Sequence, residues 1–155
     1  MKKSHVVLIV IASALAGIFV FSNFFLILGG IFLDIISGSN ADIEIDSYRL
    51  CETKEGDDVI VIKYLLKNNG KEPTALLYEG DFYVYQNGVS LTECIDELPK
   101  ECDYDTQDQY KNIKGGVEYY AEIAYYLESP DSDVEVEVND YGLFDDKEEK
   151  VFSLK

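Results

Sequence analysis

Val117-Glu118-Tyr119-Tyr120-Ala121-Glu122-Ile123-Ala124-Tyr125-Tyr126-Leu127 is the clearest strand in this sequence. Val117, Tyr119, Ala121, Ile123, Tyr125 and Leu127 share one face; Glu118, Tyr120, Glu122 and Tyr126 take the other. A period of two is the signature of a strand with one face against a core. Downstream, Pro130-Asp131-Ser132-Asp133 turns the chain into Val134-Glu135-Val136-Glu137-Val138, strict alternation and hence a half-buried antiparallel strand. Val151-Phe152-Ser153-Leu154 closes the series.

The same pattern recurs upstream. Ile113-Lys114-Gly115-Gly116 is a turn, and Glu93 to Asn112 is the longest irregular stretch. Asp81 to Gln86 places Phe82 and Val84 on one face and Tyr83 and Tyr85 on the other. Asn87-Gly88 is a favoured pair for a tight hairpin, because both residues accept positive φ, and Val89 to Thr92 pairs back. Leu76-Leu77-Tyr78 reads as a short edge strand. In Val59 to Asn68, Ile60, Ile62, Tyr64 and Leu66 share a face, with Lys63 and Lys67 opposite on a partly wet one. Ile43 and Ile45 alternate with Glu44 and Asp46 as a first strand. Seven or eight short strands in about 115 residues predict an all-β fold, an immunoglobulin-like antiparallel β-sandwich. The Cys…Trp…Cys core of antibody domains is missing, since the chain has no Trp.

Val6 to Leu33 contains no charged residue in 28 positions. About 20 apolar residues suffice to cross a bilayer as a helix. Lys2 and Lys3 precede this run and Asp34, Asp42 and Glu44 follow it, so the positive-inside rule places the N-terminus in the cytoplasm. The expected organisation is a transmembrane anchor over 1–36, a tether over 37–41 and an extracytoplasmic domain over 42–155. Ser39-Asn40-Ala41 also offers a cleavage site, which would make the protein secreted, but the apolar run is about twice the usual length of a signal-peptide core. No cysteine follows closely enough to be a lipid attachment point.

All 30 acidic residues lie at or after Asp34 together with 11 of the 13 basic ones, giving that segment a formal charge of −19. Such a field repels nucleic acid and anionic lipid headgroups, both of which need Lys or Arg neutralisation. It suits solubility, cations or basic partners.

The blocks Val59-Ile60-Val61-Ile62-Lys63-Tyr64, Lys67-Asn68-Asn69, Tyr85-Gln86-Asn87-Gly88-Val89-Ser90-Leu91, Tyr104-Asp105, Ala124-Tyr125-Tyr126-Leu127 and Ser132-Asp133-Val134-Glu135-Val136-Glu137-Val138, with Phe144 and the closing strand, occur in that order. Over about Asp57 to Lys155 the chain resembles an uncharacterised immunoglobulin-like domain family of Gram-positive surface lipoproteins and membrane-anchored proteins, a domain of unknown function. The resemblance implies an extracytoplasmic sandwich without an established enzymatic activity, and it supplies no catalytic residues.

Chemistry-bearing groups are few. The single histidine, His5, precedes the membrane run, so no Ser-His or Cys-His pair is available to the domain. Zinc is disfavoured, since the domain has no His and no C-x-x-C. Cys94 and Cys102 flank seven residues and form the expected disulfide; Cys51 paired with either is the rival. Asp103, Asp105 and Asp108 concentrate oxygen ligands in a loop, as calcium prefers, though without the Gly and terminal Glu of an EF-hand. Tyr83, Tyr85, Tyr120 and Tyr126 alternate away from the core face and are candidate binding residues. The expectation is a non-enzymatic cell-surface module for a protein, peptide or cell-wall component. The alternative is a calcium-dependent structural or adhesive domain.

Overall fold

The computed structural model describes residues 40–141 and 147–154. The expected membrane span, most of the tether and Phe144 lie outside the described residues. Among those described, no helix is long and apolar enough to cross a membrane.

Among the described residues, seven strands form two antiparallel sheets. They are β1 (Ala41–Glu52), β2 (Asp58–Asn68), β3 (Gly80–Gln86), β4 (Val89–Ser90), β5 (Val117–Tyr126), β6 (Val134–Asp140) and β7 (Lys147–Phe152). One sheet runs β1-β2-β5 and the other β4-β3-β6-β7. The alternating residues build one core between them. Ile43, Ile45, Ile60, Ile62, Tyr64, Leu66, Ala121, Ile123 and Tyr125 meet Val84, Val134, Val136, Val138 and Phe152. Aromatic rings knit the layers: Tyr64 meets Phe82 edge-on at 5.0 Å and Tyr48 meets Phe152 at 4.6 Å.

β1 carries a bulge that decides what the outer face looks like. Ile45 pairs with Tyr64 and Ser47 with Lys63, leaving Asp46 as the extra residue. Before it, Ile43 and Ile45 point to the core; after it, Tyr48 does, and Arg49 and Cys51 turn outward. The disturbed backbone is satisfied from β7. The Ile45 N–H donates to Glu148 Oε1 at 3.0 Å, and Lys150 Nζ donates to the Ile45 and Asp46 carbonyls at 2.7 Å each.

Turn chemistry follows the sequence. Asn87 and Gly88 both have positive φ, 52° and 76°, as a two-residue hairpin requires. Leu76–Tyr78, by contrast, is a 3-10 turn and not the expected edge strand. Thr74 is already paired with Ile113 through reciprocal backbone bonds, and the chain closes on itself with Tyr78 N–H on Ala75 O and Glu79 N–H on Leu76 O, so Leu76 enters the core as a plug. The 93–112 stretch holds two more 3-10 turns, Lys100–Cys102 and Asp108–Tyr110.

Candidate functional site

The outer face of the three-stranded sheet is only partly wet. Lys63 and Lys67 reach solvent, but Val59, Val61 and Ala124 are buried under the 93–112 loop. The loop attaches first by strand-like pairing: the Tyr126 N–H donates to Thr92 O at 2.9 Å and the Cys94 N–H to Ala124 O at 2.8 Å. Cys94, Leu98 and Cys102 then pack on the sheet, with Tyr104 and Tyr126 alongside. Burial pushes the Tyr104 phenol up to about 12.

The loop is locked at its far end. Cys102 is bonded to Cys51, with Cα atoms 6.0 Å apart, and Cys94 is a free, buried thiol. This corrects the expected Cys94–Cys102 bridge. Cys94 is bound to β5 by its backbone and buried in the apolar layer, whereas the β1 bulge turns Cys51 towards the loop. Beside the disulfide, Arg49 makes four bonds. Nε donates to Cys102 O at 2.8 Å, Nη2 to Asp103 O at 2.9 Å, and the two Nη groups grip Glu122 at 2.5 and 2.7 Å. The hydrogen bond to Glu122 raises the Arg49 pKa further. Sequence reading missed this clamp, although one signal was present: Arg49 is the only arginine in the chain.

The three candidate calcium ligands are not gathered into one site. Asp105 and Asp108 share Lys111, whose Nζ lies 3.1 and 2.6 Å from them. Asp108 also accepts from the Tyr119 hydroxyl at 2.6 Å, and Asp105 from the Gln107 N–H at 2.9 Å. That N–H and Lys111 hold the Asp105 carboxyl below its usual range, and the Asp108 and Asp105 carboxylates raise the pKa of Lys111. Asp103, in a left-handed conformation at φ 48°, contributes its backbone carbonyl to Arg49 instead. Among the described residues, no three His, Cys, Asp or Glu side chains converge as metal ligands.

The four tyrosines divide between opposite outer faces of the sandwich. On β5, Tyr120 lies under Lys63 Nζ at 4.1 Å, while Tyr126 is half-covered by the loop and its hydroxyl donates to Asp96. On β3, Tyr83 and Tyr85 stack with ring centroids 6.4 Å apart and planes 13° from parallel. Tyr83 is 39% exposed, and opposite the pair on β6 stand Glu137 and Glu135. Lys147 bridges Glu137 and Glu149, Tyr141 donates to Asp81 at 2.7 Å, and Val151 beside Glu135 is 63% exposed. The result is an open aromatic patch framed by carboxylates.

Fold and surface thus define a class first: a two-sheet, all-β domain with a loop-clamped face and an open tyrosine face. Residues 34–140 match a family model described as Domain of unknown function (DUF5067), and the chain belongs to that family. The match starts at residue 34, before the resemblance that begins near Asp57, and ends at 140, short of Phe144 and the closing strand that the resemblance takes in. Among solved structures, a candidate lipoprotein from Staphylococcus aureus subsp. aureus NCTC 8325 shares the fold with a TM-score of 0.55. It is 18% identical, over 75% of this chain and 85% of that one. No curated protein matches the chain.

Proposed function

We propose that this chain is a membrane-attached, extracytoplasmic binding module of immunoglobulin type, without enzymatic activity, that docks a basic protein partner on the outer face of β3 and β6. The observation that carries the reading is the stacked Tyr83–Tyr85 pair, Tyr83 exposed and Tyr85 half-buried, set among Glu135, Glu137 and Glu149. Rigid aromatics supply contact area at little entropic cost, and the surrounding carboxylates select and steer a cationic surface.

Several features support the rest. The β1-β2-β5 and β4-β3-β6-β7 orders differ from the constant-type immunoglobulin arrangement in one respect, a fourth strand that edges β3 and not β5. A disulfide suits an oxidising compartment. The similar staphylococcal protein is a lipoprotein candidate, which supports a cell-surface location at the membrane. Here attachment would run through the apolar Val6–Leu33 segment, because the first cysteine, Cys51, is engaged in the disulfide. A calcium-dependent role would require Asp105 and Asp108 to release Lys111; calcium titration with melting curves tests it, and an unchanged melting temperature removes it.

The test of docking is the double variant Tyr83→Ala/Tyr85→Ala displayed on cells. Capture of a basic partner that is lost in this variant and retained in Tyr120→Ala supports the proposal. Equal capture by both variants overturns it.

A further inference from the structure

Two Asn-Gly dipeptides lie in the domain, Asn69-Gly70 and Asn87-Gly88. A glycine has no side chain to shield its nitrogen, so that nitrogen can close on the carboxamide of the preceding asparagine. The fold holds the two pairs differently. At the first, both reacting groups are engaged: the Gly70 N–H donates to Asn68 Oδ1 at 3.0 Å and Asn69 Nδ2 to Asp42 Oδ2 at 2.9 Å. The Asn69 N–H is fixed as well, donating to Asn40 O at 2.7 Å. At the second, the sheet leaves the reacting groups out. β3 and β4 pair Gln86 with Val89 and Tyr85 with Ser90, so the Asn87–Gly88 peptide spans the hairpin tip. Both residues are exposed, and a Cβ on Gly88 would meet no atom within 4 Å among the described residues. The Asn87 carboxamide reaches Ser132 Oγ at a long 3.4 Å.

Backbone conformation favours the same site. Ring closure needs the Gly88 nitrogen eclipsed with Asn87 Cβ about the Cα–C bond, which at positive φ is a type II′ turn with ψ of about −120°. Asn87 already has φ 52°. Rotating one peptide plane converts the present turn into that one, and both types suit a two-residue hairpin. Gly88 accepts the change of sign in φ that the rotation demands.

We infer that Asn87 is a self-modification site, converting through a succinimide to aspartate and isoaspartate, while Asn69 is protected. The Gly88 nitrogen gives its proton to solvent base and bonds to Asn87 Cγ; the Cγ–Nδ2 bond breaks and ammonia leaves. Water then opens the ring. Cleavage between Cγ and the ring nitrogen gives aspartate, and cleavage between the main-chain carbonyl carbon and that nitrogen gives isoaspartate. One water is consumed for each ammonia released, and nothing is oxidised or reduced. Isoaspartate adds a methylene to the main chain and a carboxylate beside Ser132. A two-residue turn cannot absorb the extra backbone atom, so β4 loosens from β3 next to Tyr85.

The test ages the full-length protein in detergent at mildly alkaline pH and maps its peptides by mass spectrometry, with electron-transfer fragmentation to separate isoaspartate from aspartate. Conversion at Asn87 is expected to be about tenfold or more faster than at Asn69, where hydrogen bonds must break before attack. In the converted protein the Leu91 amide, which donates to Val84 O at 2.7 Å, should exchange its hydrogen faster. Aged Asn87→Gly, which suits the turn and has no carboxamide, should show neither change. Conversion at Asn69 that equals or exceeds that at Asn87, or an Asn87 that stays intact, would overturn the inference. Unchanged Leu91 exchange in the isoaspartate form would overturn the loosening of β4.

Discussion

Gln86 lies at the end of β3, buried, and spends both ends of its amide on the β5–β6 connection. Nε2 donates to Ser129 O at 2.8 Å and Ser132 O at 2.9 Å, and Oε1 accepts from the Glu128 and Ser129 N–H groups. Leucine at this position would fit the alternation but orphan four backbone groups, so Gln86→Leu should cost about 2–3 kcal/mol in a denaturant melt. Tyr64 is the opposite case. Its hydroxyl is fully buried beside Tyr125 with no partner at good hydrogen-bond geometry among the described residues, and burial drives its pKa well up. Tyr64→Phe should therefore raise stability by about 1 kcal/mol, read as a higher melting temperature; a fall would show that the hydroxyl is satisfied. Gln86 belongs to the Gln-Asn-Gly-Val block that marked the hairpin in the sequence. The hairpin was readable from Asn87 and Gly88 because φ preference is local. The second role of Gln86 was not, since its partners lie more than 40 residues away.

At the scale of elements, every alternating run became a strand, because a period of two is imposed by the pleat. The failures are equally physical. Leu76–Tyr78 lacked a neighbour to pair with and closed into a 3-10 turn. The loop over Val59 and Val61 was invisible because a second buried face looks, in sequence, like extra valines in an already apolar strand. The cysteine pairing turned on a single inserted residue, Asp46, which reverses the facing of Cys51. The bond it permits spans 51 residues, against eight for the expected pair. In the chain-entropy model it contributes about 4 kcal/mol, so Cys51→Ala/Cys102→Ala should lose that much stability and deprotect the loop amides in hydrogen exchange. The 105–111 turn has its own signature. Asp105, held below its ordinary 3.8 by Gln107 and Lys111, stabilises the fold above that value, and the contribution disappears as pH falls through its lower folded value. Exchange at Gln107 to Lys111 should therefore accelerate below about pH 4, relative to intrinsic rates, and Asp105→Asn should abolish that step. A pH-independent profile in the parent would contradict the assignment.

The whole molecule presents two differently built outer faces around one core. One is closed by its own loop, disulfide and Arg49–Glu122 clamp; the other is left open with aromatics among carboxylates. The acidity read from composition is distributed unevenly in its consequences: Asp105, Asp108 and Glu122 hold the fold together, whereas Glu135 frames the exposed patch. The four candidate tyrosines point away from the central core, Tyr126 against the loop's own apolar layer, but alternation cannot say which sheet a strand joins, and the two pairs lie on separate faces. The most direct measurement is site-specific photo-crosslinking on intact cells, with benzoylphenylalanine placed at Tyr83 or, as a control, at exposed Tyr78. A crosslinked adduct to a basic polypeptide is expected from position 83 alone, abolished by Glu135→Gln/Glu137→Gln. Adducts of equal yield from both positions, or one that survives the glutamine substitutions, would contradict it.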